Sequence, residues 1–424
     1  MFNNKVKKFN LNYCNIPVIY QHNNTKCSSV IFHFDIGSLW ETEKEKGIAH
    51  LVEHLMFKDT GRHSSEQLLK LLEISGADIN ACTSFDCTRF YFTVNNDSFV
   101  KTLDLFVEML SHKQIPEYEF QKEKSTVIQE LKMTLDNPDA QVYFNLVKNV
   151  FNMDEIVGFE KVLQKIELKD VYKWIKKYIT ANNLIISINT GFSKHKTKKL
   201  LEKAFENFRY INEKNYEYEN LLIAKERAIN NLTCKSNQEI FKLKKNNQQN
   251  YIIISYPIDI YKQRDIITLE AFRKVLSSGL TSILFREIRE KYGYCYTIKA
   301  YTETLLDKDF RNVTGFNLNI VTNCMPKYVE DCIKQIKKVM NNVNELMTEE
   351  DLIKIKNKYK NSERKLFEEA EINLDNYKLF GEIKNDSEKI FYKLTLKDLQ
   401  SFCNNVRTGK KNISIYGPKY QESL

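Results

Sequence analysis

The sequence predicts an α+β chain of two homologous domains, each a mostly antiparallel or mixed β-sheet with helices packed on it. Three observations carry that expectation. The 424 residues, 42% of them hydrophobic, exceed what one core usually organises and give ample apolar area to bury. Strand-like runs at 29–36, 90–94, 184–189 and 251–256 alternate with long helical patterns. Finally, the two halves resemble each other. Ile166-Glu167-Leu168-Lys169-Asp170-Val171 recurs as Leu394-Thr395-Leu396-Lys397-Asp398-Leu399, 228 positions later (394 − 166). Pro116-Glu117-Tyr118-Glu119-Phe120 likewise resembles Thr348-Glu349-Glu350-Asp351-Leu352, displaced by 232 (349 − 117). A duplication explains both, and places the domains at residues 1–205 and 236–424. A polar, weakly periodic linker is expected at 206–235.

Composition constrains location. No apolar stretch precedes the first alternating run near Phe9, so no signal or transit peptide is expected, and no run reaches transmembrane length. Nine cysteines, an odd number without paired spacing, suit reduced thiols and a cytoplasmic setting. The net charge of +9 accompanies Lys and Asn that are abundant throughout, and no nucleic-acid motif goes with it, so neither nucleic acid nor membrane is expected as a partner.

The chemistry is concentrated in His50-Leu51-Val52-Glu53-His54. On a helix, positions i and i+4 lie one above the other, so His50 and His54 can offer nitrogens to one tetrahedral Zn²⁺. Glu53 is one residue off and can reach a metal-bound water without being a ligand, the place of a general base. With seven histidines in the chain, such a match arises by chance in roughly one sequence in a hundred. A catalytic zinc also needs a third protein ligand. Residues 116–135 read as a helix, with Pro and acids in its first turns, and carry Glu123 and Glu130 seven apart on one face. Between the two helices, 76–94 alternates and is rich in Thr and aromatics, which predicts a hairpin or paired strands.

These residues together resemble the pitrilysin and insulinase family of inverted zincins, in particular the half-size bacterial type related to mitochondrial processing peptidases. That family's H-x-x-E-H is followed some 75 residues on by a glutamate ligand. Glu130 stands 76 after His54 (130 − 54). The flanks Asp35-Ile36-Gly37-Ser38, Gly47-Ile48-Ala49 and Met56-Phe57-Lys58-Asp59-Thr60 agree, except that Asp59 replaces the usual glycine. The resemblance implies His50, His54 and Glu130 as ligands of one Zn²⁺ per chain, Glu53 as base and Glu123 as a helper. It implies that Asn80-Ala81-Cys82-Thr83 is an exposed edge strand onto which an unfolded peptide adds as a further strand. Residues 277–296 (SSGLTSILFREIREKYGYCY) resemble the family's C-terminal motif, whose arginine and tyrosine, here Arg289 and Tyr296, reach the bound peptide. In the second copy, Ile355 and Ser362 replace Glu123 and Glu130, so only the first half is expected to hold metal.

The resemblance therefore implies half of a clam-shell zinc endopeptidase, acting on unfolded oligopeptides or leader-type peptides as a homodimer or with a related chain. The alternative is a silent or weakly active peptide-binding subunit of a heterodimeric processing peptidase. Retention of both the metal half and the Arg/Tyr half favours the enzyme.

Overall fold

The computed structural model describes residues 6–12, 15–111, 113–151, 153–206, 208, 240–260, 262–306, 313–361, 366–381, 387–406 and 408–418. They form two compact units. The first contains a six-stranded sheet of β1 (Lys7–Asn10), β2 (Pro17–His22), β3 (Cys27–Phe34), β4 (Asp78–Thr83), β5 (Thr88–Asn95) and β6 (Leu184–Thr190), in the order β1-β2-β6-β3-β5-β4. The strand runs read from the sequence correspond to β3, β5 and β6, and the predicted hairpin is β4–β5. The central strand β3 is buried on both faces from Ser28 to Phe34, the polar Ser28, Ser29 and His33 included. On one face Phe32 stacks on Phe106 at 5.9 Å between ring centroids and also meets Phe92 and Phe205. On the other, Ile31 and Ile19 pack against Ala370 and Leu374.

The second unit holds a five-stranded sheet of β7 (Ile240–Lys244), β8 (Asn250–Ile258), β9 (Cys295–Leu306), β10 (Val313–Cys324) and β11 (Asn412–Gly417), ordered β7-β11-β8-β10-β9. Its topology repeats that of the first. The pair β2–β6 is parallel, as is β7–β11, and the three pairings that follow in each sheet are antiparallel. The sheets are thus mixed and mostly antiparallel, and the second copy lacks only a counterpart of β1 among the described residues.

The compact units are not the contiguous stretches 1–205 and 236–424. Residues 134–154 belong to the second unit and 364–385 to the first. The helix Pro138–Phe151, from the first half of the chain, lays Val142, Leu146 and Val150 on Ile253 and Tyr416 of the second sheet. The helix Leu366–Phe380, from the second half, covers Ile19 and Ile31 of the first. These helices begin 228 residues apart (366 − 138), the displacement of the sequence repeat, so each unit's sheet is covered by the helix of the other copy. Apolar spacing marks a helix's buried face but not which sheet will cover it, so a linear boundary could not anticipate the exchange. The expected linker falls, apart from Glu206 and Phe208, outside the described residues.

Candidate metal centre

The helix α1 (Ile48–Leu55) carries the histidine pair, and its amphipathic sequence buries Ile48, Leu51, Val52 and Leu55 while turning His54 and Glu53 to a half-buried side. It starts at Gly47, whose φ of 95° is the left-handed region that favours glycine. Both ends of α1 are held by buried titratable side chains, Glu41 and Lys113. Glu41 accepts hydrogen bonds from the backbone N–H groups of Gly47 and Ala49, each at 2.9 Å. At the other end Lys113 Nζ donates to the carbonyls of Met56 at 2.5 Å and Lys58 at 2.7 Å. The roles suit the helix termini, an acceptor for the free N–H groups at the first and a donor for the free carbonyls at the last. Burial pushes the Glu41 carboxyl up to about 8, against the pull of the two N–H donors. Asp59, in place of the family's glycine, has a role of its own: its Oδ1 accepts from Ser65 N at 2.6 Å at the start of α2 (Ser65–Ile74).

With α3 taken as Phe99–Ser111, the next helix is α4 (Glu117–Asp136), close to the predicted 116–135. It brings Glu123 and Glu130 to the histidines. His54 Nε2 lies 3.2 Å from Glu130 Oε2 and His50 Nε2 lies 3.7 Å from Glu130 Oε1. The imidazoles meet edge to face at 4.7 Å between centroids. Donor atoms of His50, His54 and Glu130 all lie within 4.8 Å of one another. Two imidazoles and a carboxylate are a recognised catalytic zinc set, and tetrahedral bonds of about 2.0–2.1 Å would put donor atoms roughly 3.3–3.4 Å apart. The two measured separations to Glu130 bracket that figure, so the residues fit the ion. The second coordination layer fits as well. His54 Nδ1 and Glu123 Oε1 are 2.9 Å apart, the arrangement in which a carboxylate fixes the tautomer that leaves Nε2 free for metal. Lys58 Nζ holds the other Glu123 oxygen at 2.5 Å.

Protonation states follow from the surroundings. Burial lowers His50 to about 4, with His54 adding to the effect, so His50 is a neutral imidazole able to donate a lone pair. Burial also opposes charge on His54, but the Glu123 hydrogen bond and the charges of Glu53, Glu130 and Glu123 outweigh it and raise its pKa. Glu53 is pushed up by burial, against the hydrogen bonds of Thr83 and the charge of His54. Thr83 Oγ1 donates to Glu53 Oε2 at 2.6 Å.

Thr83 ends β4, which pairs with β5 on one side and lies at the edge of the sheet. Asn80 and Cys82 are exposed, and Ala81 and Thr83 half-buried. The four residues predicted as an edge platform therefore sit on an open edge among the described residues, and their last member touches the predicted base. The Ala81 N–H is occupied by its neighbour's Asn80 Oδ1 at 2.8 Å. In the second unit, Arg289 stacks over Tyr296 at 4.7 Å and over Phe285 at 4.5 Å, while Tyr296 is 76% exposed. Those two predicted residues thus form one stacked donor pair. Ile355 is buried at the position matching Glu123, and Ser362 lies outside the described residues.

Two family patterns match the chain: "Insulinase (Peptidase family M16)" over residues 17–157 and "Peptidase M16 inactive domain" over 165–359. The chain belongs to peptidase family M16. This M16 chain is 24% identical over 395 residues to a zinc protease of Rickettsia felis, covering 90% of each chain. It is 27% identical over 187 residues to a probable mitochondrial-processing peptidase subunit beta of Arabidopsis thaliana, covering 42% of this chain and 35% of that one. A crystal structure of a protease from Helicobacter pylori superimposes with a TM-score of 0.79 at 22% identity, covering 98% of this chain and all of the other. The pattern named inactive falls on the part without a counterpart of Glu123. No described helix of the M16 chain is long and apolar enough to cross a membrane.

Sequence reading missed Glu41 and Lys113. An acid shortly before a helix is a signal for the first. Nothing local marks Lys113, because its partners are backbone carbonyls of a distant turn.

Proposed function

We propose that the chain is a zinc endopeptidase that hydrolyses extended, unfolded peptides, with His50, His54 and Glu130 as the metal ligands and Glu53 as general base. The observation that carries the reading is the meeting of three elements at one point: the His-His-Glu donor set, a half-buried carboxyl beside it, and an open strand edge whose Thr83 touches that carboxyl. Bound there, Zn²⁺ would supply a Lewis acid that polarises a carbonyl and makes water acidic enough to attack it. The protein does the rest. Glu123, anchored by Lys58, holds His54 so that Nε2 faces Glu130. Thr83 fixes the Glu53 carboxyl in the position to take a proton from the attacking water and return it to the leaving amine. Burial raises the Glu53 carboxyl from its ordinary value, the direction that suits a base working near neutral pH.

A peptide adds to the free edge of β4 through its backbone, so affinity depends little on sequence, and Asn80 must release the Ala81 N–H for the ladder to form. Arg289 and Tyr296 are the proposed donors for substrate carbonyls, a guanidinium and a phenol held together by stacking. A cytoplasmic homodimer, or a pair with a related chain, is the proposed assembly; the beta-subunit name of the Arabidopsis relative supports pairing.

The test is Glu53→Gln, which keeps all three ligands. The variant is expected to bind one zinc per chain and to lose peptide cleavage by at least the ~10²–10⁴-fold typical of a removed general base. Near-normal cleavage by that protein would overturn the mechanism.

A further inference from the structure

Lys113 is a buried side chain that the chemistry at the metal centre does not itself use. It lies with Gln114 between α3 and α4, the helix that carries Glu123 and Glu130, and is only 7% exposed. Burying a long polar side chain is costly unless its N–H groups find acceptors, so the atoms that receive Lys113 Nζ show what holds it there. They are backbone carbonyls of the turn after α1, Met56 O at 2.5 Å and Lys58 O at 2.7 Å. Neighbouring contacts hold the same turn. Thr60 and Lys113 form an antiparallel bridge, and the Gln114 N–H donates to Asp59 O at 3.2 Å. The stretch that leads into the glutamate-bearing helix thus grips positions 56, 58, 59 and 60, just after the histidine-bearing helix.

From that turn a line of direct contacts runs back to the metal ligands. The Lys58 side chain leaves the gripped turn and places Nζ 2.5 Å from Glu123 Oε2. Glu123 Oε1 lies 2.9 Å from His54 Nδ1, and His54 Nε2 lies 3.2 Å from Glu130 Oε2. A lysine side chain has many rotamers to lose, so its contact with Glu123 persists only if its backbone end is fixed. Lys113 fixes that end. An apolar side chain of the same length would fill the space and leave both carbonyls without this donor.

We infer that Lys113 is a positioning residue of the metal centre: by holding the carbonyls of Met56 and Lys58 it fixes the turn from which Lys58 reaches Glu123, and so sets the orientation in which His54 presents Nε2. The inference rests on the proposed zinc reading of His50, His54 and Glu130, and adds to it a residue that touches none of the three.

The experiment is a double-mutant cycle on the full-length protein, with zinc as the probe and a chromogenic chelator as competitor. Wild type, Lys113→Met, Glu123→Ala and the double variant are compared, each checked for folding by circular dichroism. Lys113→Met is expected to weaken zinc binding about tenfold, the lower end of the loss when a ligand's own partner is removed. In the Glu123→Ala background the same substitution has nothing left to act through, so its further effect should stay within about twofold. With Co²⁺ in place of zinc, the visible absorption bands should change in Lys113→Met, and the double variant should match Glu123→Ala. A lysine that only stabilises the fold would weaken binding by the same factor in both backgrounds; that result overturns the inference, as does wild-type zinc affinity in Lys113→Met. If Lys113→Met does not fold, Lys113→Gln, which keeps two N–H donors on a shorter stem, replaces it, and its zinc loss should again vanish in the Glu123→Ala background. A wild-type chain that binds no zinc would instead overturn the reading on which the inference rests.

Discussion

Glu123 offers the sharpest test of how the metal centre is built, because it touches a ligand without being one. Its Oε1 lies 2.9 Å from His54 Nδ1 and its Oε2 2.5 Å from Lys58 Nζ, and the residue is 8% exposed. In Glu123→Ala, His54 loses the acceptor that fixes its tautomer and ring, and the Lys58 ammonium is left half-buried beside an imidazole that must stay neutral to bind metal. Loss of such a partner typically weakens metal binding by about 10–100-fold. That is about 1.4–2.7 kcal/mol at tenfold per ~1.4 kcal/mol. Competition with a chromogenic chelator measures it directly, and circular dichroism separates it from unfolding. Glu123→Gln provides the control: its amide oxygen can still accept from Nδ1–H but carries no charge for Lys58, so its affinity should fall between those of the wild type and Glu123→Ala. Equal zinc affinity in all three proteins would refute the idea that Glu123 orients His54.

Other outcomes follow from the same structure. Arg289→Ala and Tyr296→Phe should slow peptide cleavage at normal zinc content; wild-type rates in both would end their assignment as substrate donors. Glu41→Ala strands the Gly47 and Ala49 N–H groups, at about 1–3 kcal/mol for each buried donor left unpaired, and denaturant titration should register that loss. Leu374→Ala should cost about 2–5 kcal/mol, with faster hydrogen exchange in β2 and β3 of the first unit, although residue 374 is far away in sequence; exchange confined to the second unit would contradict the helix swap. One cleavable sequence should be cut as a free peptide and resist in a rigid loop of a folded domain, because addition to β4 needs an extended backbone. Equal cleavage of both would argue against the strand-addition reading.

The parts of the site legible in the sequence were those with local periodicity. His50 and His54 are four apart, Glu123 and Glu130 seven apart, and helical geometry alone puts each pair on one face. Their approach to one another is a tertiary fact, reached in advance only through the family's spacing. The duplication was legible for a related reason: the displacement of 228 survives in both the Leu168–Tyr178 and Leu396–Phe402 helices, whose first turns are closed by acids at matching places, Asp170 and Asp398. What sequence could not yield were contacts whose partner is backbone or lies in the other half. Lys113 is buried because two carbonyls await it. Arg89 reads as a strand residue, yet it donates to His33 Nδ1 at 3.0 Å, and to Glu371 at 2.8 Å and Asp375 at 2.7 Å on the exchanged helix. Lys378 of the same helix meets Asp35 at 2.9 Å and Asp86 at 3.5 Å. These pairs are only partly shielded from water, with Asp375 47% and Glu371 38% exposed at the side chain, so each adds little stability by itself and together they fix where the helix docks. Arg89 pairs with Cys82 across the ladder, one residue from Thr83. The helix supplied by the second half of the chain thus bears, through Arg89, on the hairpin that presents the edge strand and steadies the proposed base.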